Sequence, residues 1–272
     1  MSIRKIYTIT ILLGIAIVAH SQNISKTDVS DSILACKIIN SHLQNPADAG
    51  KLLKGMPYVA HTLEGNEPER LVINLHELDC TTFVENAIAL YLARGKTFND
   101  YKTLLQKLRY FNNDVSYTTR KHYITSWICD NEANGYITDV TATNGTATIT
   151  TYLNYMSTHP YKYSFLMKHR DSISNISKTE KKYSNITVKY LPKSAINEDS
   201  IQWIKEGDIV ILLANIHGLD AAHLGIAVYT NGSLHLMHAS SVGHRVIVDI
   251  RTLKEQVNSP MYKGIRVLRV NG

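Results

Sequence analysis

Three cysteines in 272 residues are too few for a disulfide-stapled scaffold, and an odd number leaves at least one thiol free or paired between chains. Cys36 and Cys129 could bridge, but the expectation is that both are buried thiols and that Cys80 is the free one. No second cluster of Cys or His has zinc spacing. His235-x-x-His238 resembles a ligand pair only on a helix, because residues i and i+3 of a strand face opposite ways. The reading is therefore of a protein with no metal and no cofactor. No Lys/Arg cluster is interleaved with aromatics, so the formal charge of +6 makes no case for nucleic acid. Repeats and low-complexity tracts are absent. Beyond the N-terminus no apolar run reaches the roughly 20 residues that a membrane span needs.

The N-terminus differs in kind. Arg4-Lys5 is a short basic region, residues 6–19 are apolar, and Ala19-His20-Ser21 offers small residues at a cleavage site. That pattern predicts a signal peptide over 1–21, hence export across an inner membrane to the periplasm. No cysteine follows the apolar stretch, which argues against a bacterial lipid anchor there. Loss of Arg4 and Lys5 lowers the charge from +6 to about +4, still compatible with an anionic substrate or an envelope surface. No membrane segment remains in the mature chain, which reads as a single domain over 22–272.

Within it, helical spacing predicts helices over 31–43, 80–94, 101–110 and 121–131, with a further helix over 161–171 and a polar surface helix or loop over 172–184. Strands are predicted over 136–141, 147–151, 186–190, 208–213, 223–229, 234–239, 246–250 and 264–270. Helices first and strands second imply an α+β fold with a helix layer on an antiparallel sheet.

Asp79-Cys80-Thr81-Thr82-Phe83-Val84-Glu85 places a cysteine after an acid at the head of a strongly apolar helix. A thiol at a helix N-terminus meets the positive end of the macrodipole, which favours thiolate. The histidines are read through strand parity. Asn231-Gly232 predicts a two-residue hairpin turn with Thr230 opposite Ser233. Counting back puts His223 and His238 on one face as diagonal neighbours, and His235 opposite Val228 on the other face. Gly225 and Ala227 share the face of His223 and are expected to let a helix approach closely. A thiol nucleophile needs a base and a group to orient that base, and His223 and His238 can supply both.

Gly55-Met56-Pro57-Tyr58, Asp79-Cys80-Thr81-Thr82-Phe83-Val84, His223-Leu224-Gly225-Ile226 and His238-Ala239-Ser240 resemble, in this order, the NlpC-type papain-like cysteine hydrolases of bacterial cell walls. Leu63-Glu64, Arg120-Lys121-His122-Tyr123 with Trp127, Tyr190-Leu191-Pro192-Lys193, Gly207-Asp208-Ile209 and Gly218-Leu219-Asp220 resemble the N-acetylmuramoyl-L-alanine amidase-like branch. The resemblance implies a papain-like α+β fold, with Cys80 as nucleophile, His223 as base and His238 as orienting group. It implies that Tyr58 lies beside the cysteine and that Asp79 shapes the substrate end of the cleft. It also implies that Arg120, His122, Trp127 and Asp220 line that cleft. From the residues alone, Trp127 reads more readily as core, Arg120 as a solvated charge and Asp220 as a cap on the turn before its strand. Thr81 and His61-Thr62 depart from the wider superfamily, which has serine and glycine there.

The implied reaction cuts the amide between (anhydro-)N-acetylmuramic acid and L-alanine in peptidoglycan fragments. Tyr58 and His122 are candidates for a second oxyanion donor beside the Cys80 N–H. Two alternatives stand beside it: a stem-peptide endopeptidase of the same fold, and a non-catalytic envelope-binding module.

Overall fold

The computed structural model describes residues 26–272, so the expected signal peptide over 1–21 lies outside the described residues. Five helices precede every strand: α1 (Lys26–Ile39), α2 (Pro46–Leu52), α3 (Cys80–Leu92), α4 (Phe98–Arg109) and α5 (Ile124–Ala133). Next come β1 (Ile137–Asp139), α6 (Thr141–Asn144), β2 (Ala147–Thr150), α7 (Tyr155–Thr158), α8 (Ser164–Lys168) and α9 (Ser172–Tyr183). Then follow β3 (Thr187–Pro192), β4 (Ile209–Ala214), β5 (Ala221–Thr230), β6 (Ser233–Ser240), β7 (Arg245–Thr252), α10 (Leu253–Val257) and β8 (Tyr262–Val270). The helix expected over 161–171 is broken into a 3-10 turn, Pro160–Lys162, and α8. α2 is an addition. Its buried residues are Pro46, Ala47, Ala49 and Gly50, too small to register as an apolar stripe, and its start is set by an Asn45 cap with Pro46 in the first turn.

The sheet is antiparallel, in the order β2-β3-β8-β4-β5-β6-β7, with β1 also on β8. Alternation along β4 gives it two buried faces. Ile209 and Ile211 join Leu224, Ile226 and Met237 beneath Phe83, Val84 and Ile88 of α3. Val210 and Leu212 join Ala227, Leu236, Ile265 and Val267 beneath Leu253 and Val257 of α10. The fold is thus mixed α+β, with the helical layer on one face of an antiparallel sheet.

α3 is buried almost all round, so its polar groups are satisfied internally. Asn86 Nδ2 donates to the Thr82 carbonyl at 2.8 Å, and the Tyr101 hydroxyl donates to Asn86 Oδ1 at 2.6 Å. Glu85 pairs with Arg109 of α4 at 2.7 Å, both side chains being almost fully buried.

The β5–β6 hairpin has the expected register, Thr230 opposite Ser233 and Val228 opposite His235. Asn231 (φ 51°) and Gly232 (φ 82°) both take the left-handed conformation that a type I′ turn requires. The expected reason for Gly225 and Ala227 does not hold. α3 packs on the face of Leu224 and Ile226, whereas Ala227 belongs to the opposite core. A Cβ at Gly225 would come within 2.7 Å of Leu236 Cγ and the Met237 carbonyl oxygen, so glycine serves the approach of β6. Cys36 and Cys129 are free and half-buried, not the buried thiols expected. Among the described residues, no helix is long and apolar enough to cross a membrane.

Candidate active site

Cys80 opens α3, and Asp79 caps it. Asp79 Oδ1 accepts from the Thr82 N–H at 2.8 Å, and Thr82 Oγ1 accepts from the Asp79 N–H at 2.9 Å. This reciprocal capping box holds the first turn, and so the thiol, in a fixed place. Tyr58 reaches the same spot from another segment. Its N–H donates to the His244 carbonyl, and it bridges to Leu78, one residue before the cap. Burial, followed by the nearby Cys80 and Asp79, raises the Tyr58 phenol above its ordinary pKa.

The chain between Tyr58 and Leu78 is stapled by Arg120. Its guanidinium pairs with Glu64 and Glu69, each at 2.7 Å, and lies over the Tyr117 ring. Arg120 is buried and committed to these partners, where the sequence suggested either a solvated charge or a cleft residue.

β5 and β6 bring the two histidines together. His223 Nε2 and His238 Nδ1 are 2.6 Å apart, with the rings edge to face. His238 Nε2 faces Asp249 Oδ2 at 3.4 Å, an ion-pair distance outside hydrogen-bond geometry. Asp249 is in turn held by Arg251, whose Nη2 donates to Oδ2 at 2.7 Å and whose Nε donates to Oδ1 at 3.1 Å. The Arg251 N–H also donates to Oδ1, at 2.9 Å. Sequence reasoning missed Asp249. The β6–β7 register shifts between His235 and Met237, so simple alternation does not place it. The available signal was an acid inside the apolar run Val246-Ile247-Val248-Asp249-Ile250, since a buried acid needs a partner.

Their surroundings favour the neutral form of both the thiol and the base. Burial first, and the Asp79 charge second, push the Cys80 thiol up to about 12, against hydrogen bonds from Thr81 and the Leu224 N–H. Burial, aided by His238, pushes His223 down to about 3. Desolvation and the cap's own charge thus oppose the thiolate that the helix terminus favours. That direction favours proton loss from the thiol during attack rather than before it. Iodoacetamide labelling of Cys80 is accordingly expected to rise about tenfold per pH unit between pH 6 and 9, without the acidic plateau of a preformed thiolate. Asp79→Asn keeps the cap, removes the charge and should label faster at every pH; a plateau near pH 6 in the parent protein would contradict this account.

The Leu224 N–H at the Cys80 thiol adjoins His223 in the chain, and this contact joins the helix to the histidines. The other residues expected at the cleft lie in fixed structural settings. His122 Nε2–H donates to the Tyr117 carbonyl at 2.7 Å, and burial with Arg120 nearby pushes its pKa down to about 3. Trp127 is 1% exposed within the main core, where the helical stripe of α5 turns it inward. Asp220 accepts from the N–H groups of Thr125 and Ala221, tying the first turn of α5 to the start of β5. Burial raises its carboxyl above the ordinary range, and these bonds oppose that rise. Among the described residues, no group of His, Cys, Asp and Glu side chains could hold a metal ion.

The N-acetylmuramoyl-L-alanine amidase-like (AmiA-like) family matches residues 48–262, which contain every group described above. The chain belongs to this family. Among solved structures, an N-acetylmuramoyl-L-alanine amidase from Bacteroides uniformis is 40% identical with a TM-score of 0.80, covering 82% of this chain and 96% of that one. A Bacteroides fragilis protein described as a candidate xylanase is 41% identical with a TM-score of 0.78, covering 81% of this chain and 98% of that one. A Legionella pneumophila protein, 20% identical with a TM-score of 0.68 over 90% of this chain and 94% of its own, shares the fold. The comparison with curated proteins gave no match. In this amidase-like chain, then, the gathered groups are a capped thiol, a phenol and a His–His–Asp series.

Proposed function

We propose that this chain is an exported cysteine amidase of NlpC-type papain-like architecture. In this reading it cuts the amide between (anhydro-)N-acetylmuramic acid and L-alanine in muropeptides. The observation that carries the reading is Cys80 at the capped start of α3, with the N–H of Leu224, the residue after His223, at its thiol, and His223 paired with His238. Family membership supports a peptidoglycan amidase-like activity. The export step rests on residues 1–21 of the sequence alone.

The chemistry follows from the resting charges. His223 takes the thiol proton as sulfur attacks the lactyl carbonyl of the sugar. The imidazolium then delivers that proton to the departing amine of L-alanine, leaving the sugar's acyl group on Cys80. Water, activated by the neutral His223, hydrolyses the thioester. The Cys80 N–H at the helix start supports the oxyanion. The His122 Nε2–H is taken by Tyr117, so the phenol of Tyr58 is the second donor in this reading. Tyr58→Phe should lower kcat by about 10²- to 10³-fold with KM little changed, as loss of one oxyanion donor does elsewhere. Steady-state kinetics check this; a change confined to KM would reassign Tyr58 to substrate binding.

Glycoside hydrolysis, suggested by the description of the Bacteroides fragilis relative, needs two carboxyl groups flanking the bond. Here Asp249 is engaged by Arg251 and Asp79 by the helix cap. Mass analysis of products from defined muropeptides, with and without anhydro sugar, tests the proposal. An amidase releases a peptide with a free L-alanine N-terminus and an intact sugar. Cleavage within the stem peptide would replace it with an endopeptidase, and no cleavage at all would favour an envelope-binding module.

A further inference from the structure

Asp249 and Arg251 have no place in the mechanism above, yet they extend the histidine pair into a chain of polar contacts. Asp249 Oδ1 receives two donors, the Arg251 N–H and Nε–H, and Oδ2 receives Nη2. What remains of Oδ2 faces His238 Nε2 at 3.4 Å. His238 is 4% exposed and Asp249 5%, so both are buried.

We propose that the Asp249–Arg251 pair is a positioning device that fixes the tautomers of both histidines and so decides whether His223 can act as a base. The deduction rests on the cysteine-amidase reading only for its kinetic consequence. A carboxylate 3.4 Å from His238 Nε2 favours the proton there by its charge, which leaves His238 Nδ1 bare. At 2.6 Å a bare Nδ1 must accept, so His223 Nε2 carries the proton. Neutral His223 then has its lone pair on Nδ1, the one nitrogen left to take the Cys80 proton. With the opposite tautomers, His223 Nδ1 would carry a proton and no base would exist. Arg251 matters because it keeps the carboxylate ionised: burial pulls the Asp249 carboxyl up, but Arg251 overrides this and holds it down at about 2.

Asp249→Asn tests the device sharply. Two donors of Arg251 point at the Oδ1 position and one at Oδ2, so the amide oxygen settles at Oδ1. Its NH2 group then faces His238 Nε2, which must accept, and both tautomers reverse. ¹⁵N NMR of histidine-labelled full-length mature protein reads this directly, with resonances assigned by His223→Gln and His238→Gln. The resting parent protein is expected to carry its protons on Nε2 of both rings, and Asp249→Asn on Nδ1 of both. kcat should fall about 10²- to 10⁴-fold in the variant with KM within about twofold, as when a wrong tautomer is imposed on a catalytic histidine. Asp249→Glu, which restores a carboxylate, should recover the parent tautomers.

A proton on His238 Nδ1 in the parent protein overturns the proposal, and that reading needs no variant to fold. A fall in kcat with unchanged tautomers also overturns it, because a merely structural role gives that result. If the protein cleaves no muropeptide, the functional reading fails, while the tautomer measurement on the resting protein still decides this inference.

Discussion

Cys80→Ala is expected to lower peptide release from a muropeptide by about 10⁵-fold or more, because in the proposed mechanism the acyl intermediate forms on its sulfur. The argument depends on the fold surviving the change. The capping box runs between Asp79 and Thr82 and uses no atom of the Cys80 side chain. Cys80 is half-buried, and alanine removes only the sulfur, so α3 should start at the same residue. Thermal unfolding of the variant should match the parent to within about 1 kcal/mol, as for other small changes that leave caps and buried pairs intact. Kinetics with a defined muropeptide and a melting curve on the same sample give both numbers. Activity within about tenfold of the parent would remove Cys80 from the chemistry, since loss of a nucleophile costs far more than that.

The largest stability effect lies one turn further along the same helix. Glu85 and Arg109 are 3% and 2% exposed and 2.7 Å apart, and Arg109 Nη1 also donates to the Val72 carbonyl at 2.7 Å. Removing either partner strands the other charge in the core. Glu85→Ala or Arg109→Ala should cost about 3–5 kcal/mol, a large part of the 5–15 kcal/mol that typically holds a folded protein together. The double change Glu85→Leu with Arg109→Met should recover much of that loss, because it leaves no buried charge unpaired. Urea unfolding of the four proteins measures the difference. A single-variant loss below about 1 kcal/mol would mean that water reaches the pair and that it does not lock α3 to α4. Because this pair sets where α3 lies, activity in the single variants should fail at a lower temperature than in the parent.

The parts of the site that follow local rules were readable in advance. Apolar periodicity marked α3 and put Cys80 at its head. The Asn231-Gly232 turn set a register that put His223 and His238 on one face, and the two rings are in contact. What escaped depends on tertiary context. Asp249 reaches His238 through a register shift that strand parity does not contain. Gly225 was read as room for a helix, but alternation does not say which face the helix takes. The thiolate was argued from the helix terminus alone, whereas burial and Asp79 act against it in the folded chain. Trp127 and Asp220 illustrate the same limit. Their sequence settings fit core and cap as well as cleft, and the structure gives them packing and capping contacts.

One measurement bears most directly on the central claim that Cys80 attacks the amide between sugar and peptide. The protein is mixed briefly with a muropeptide, quenched in acid and weighed intact, and the modified fragment is then located. The account predicts a transient mass gain equal to the muramic acyl group, carried on Cys80, with the whole stem peptide released. A mass gain equal to part of the stem peptide, or an adduct on any residue other than Cys80, would contradict it.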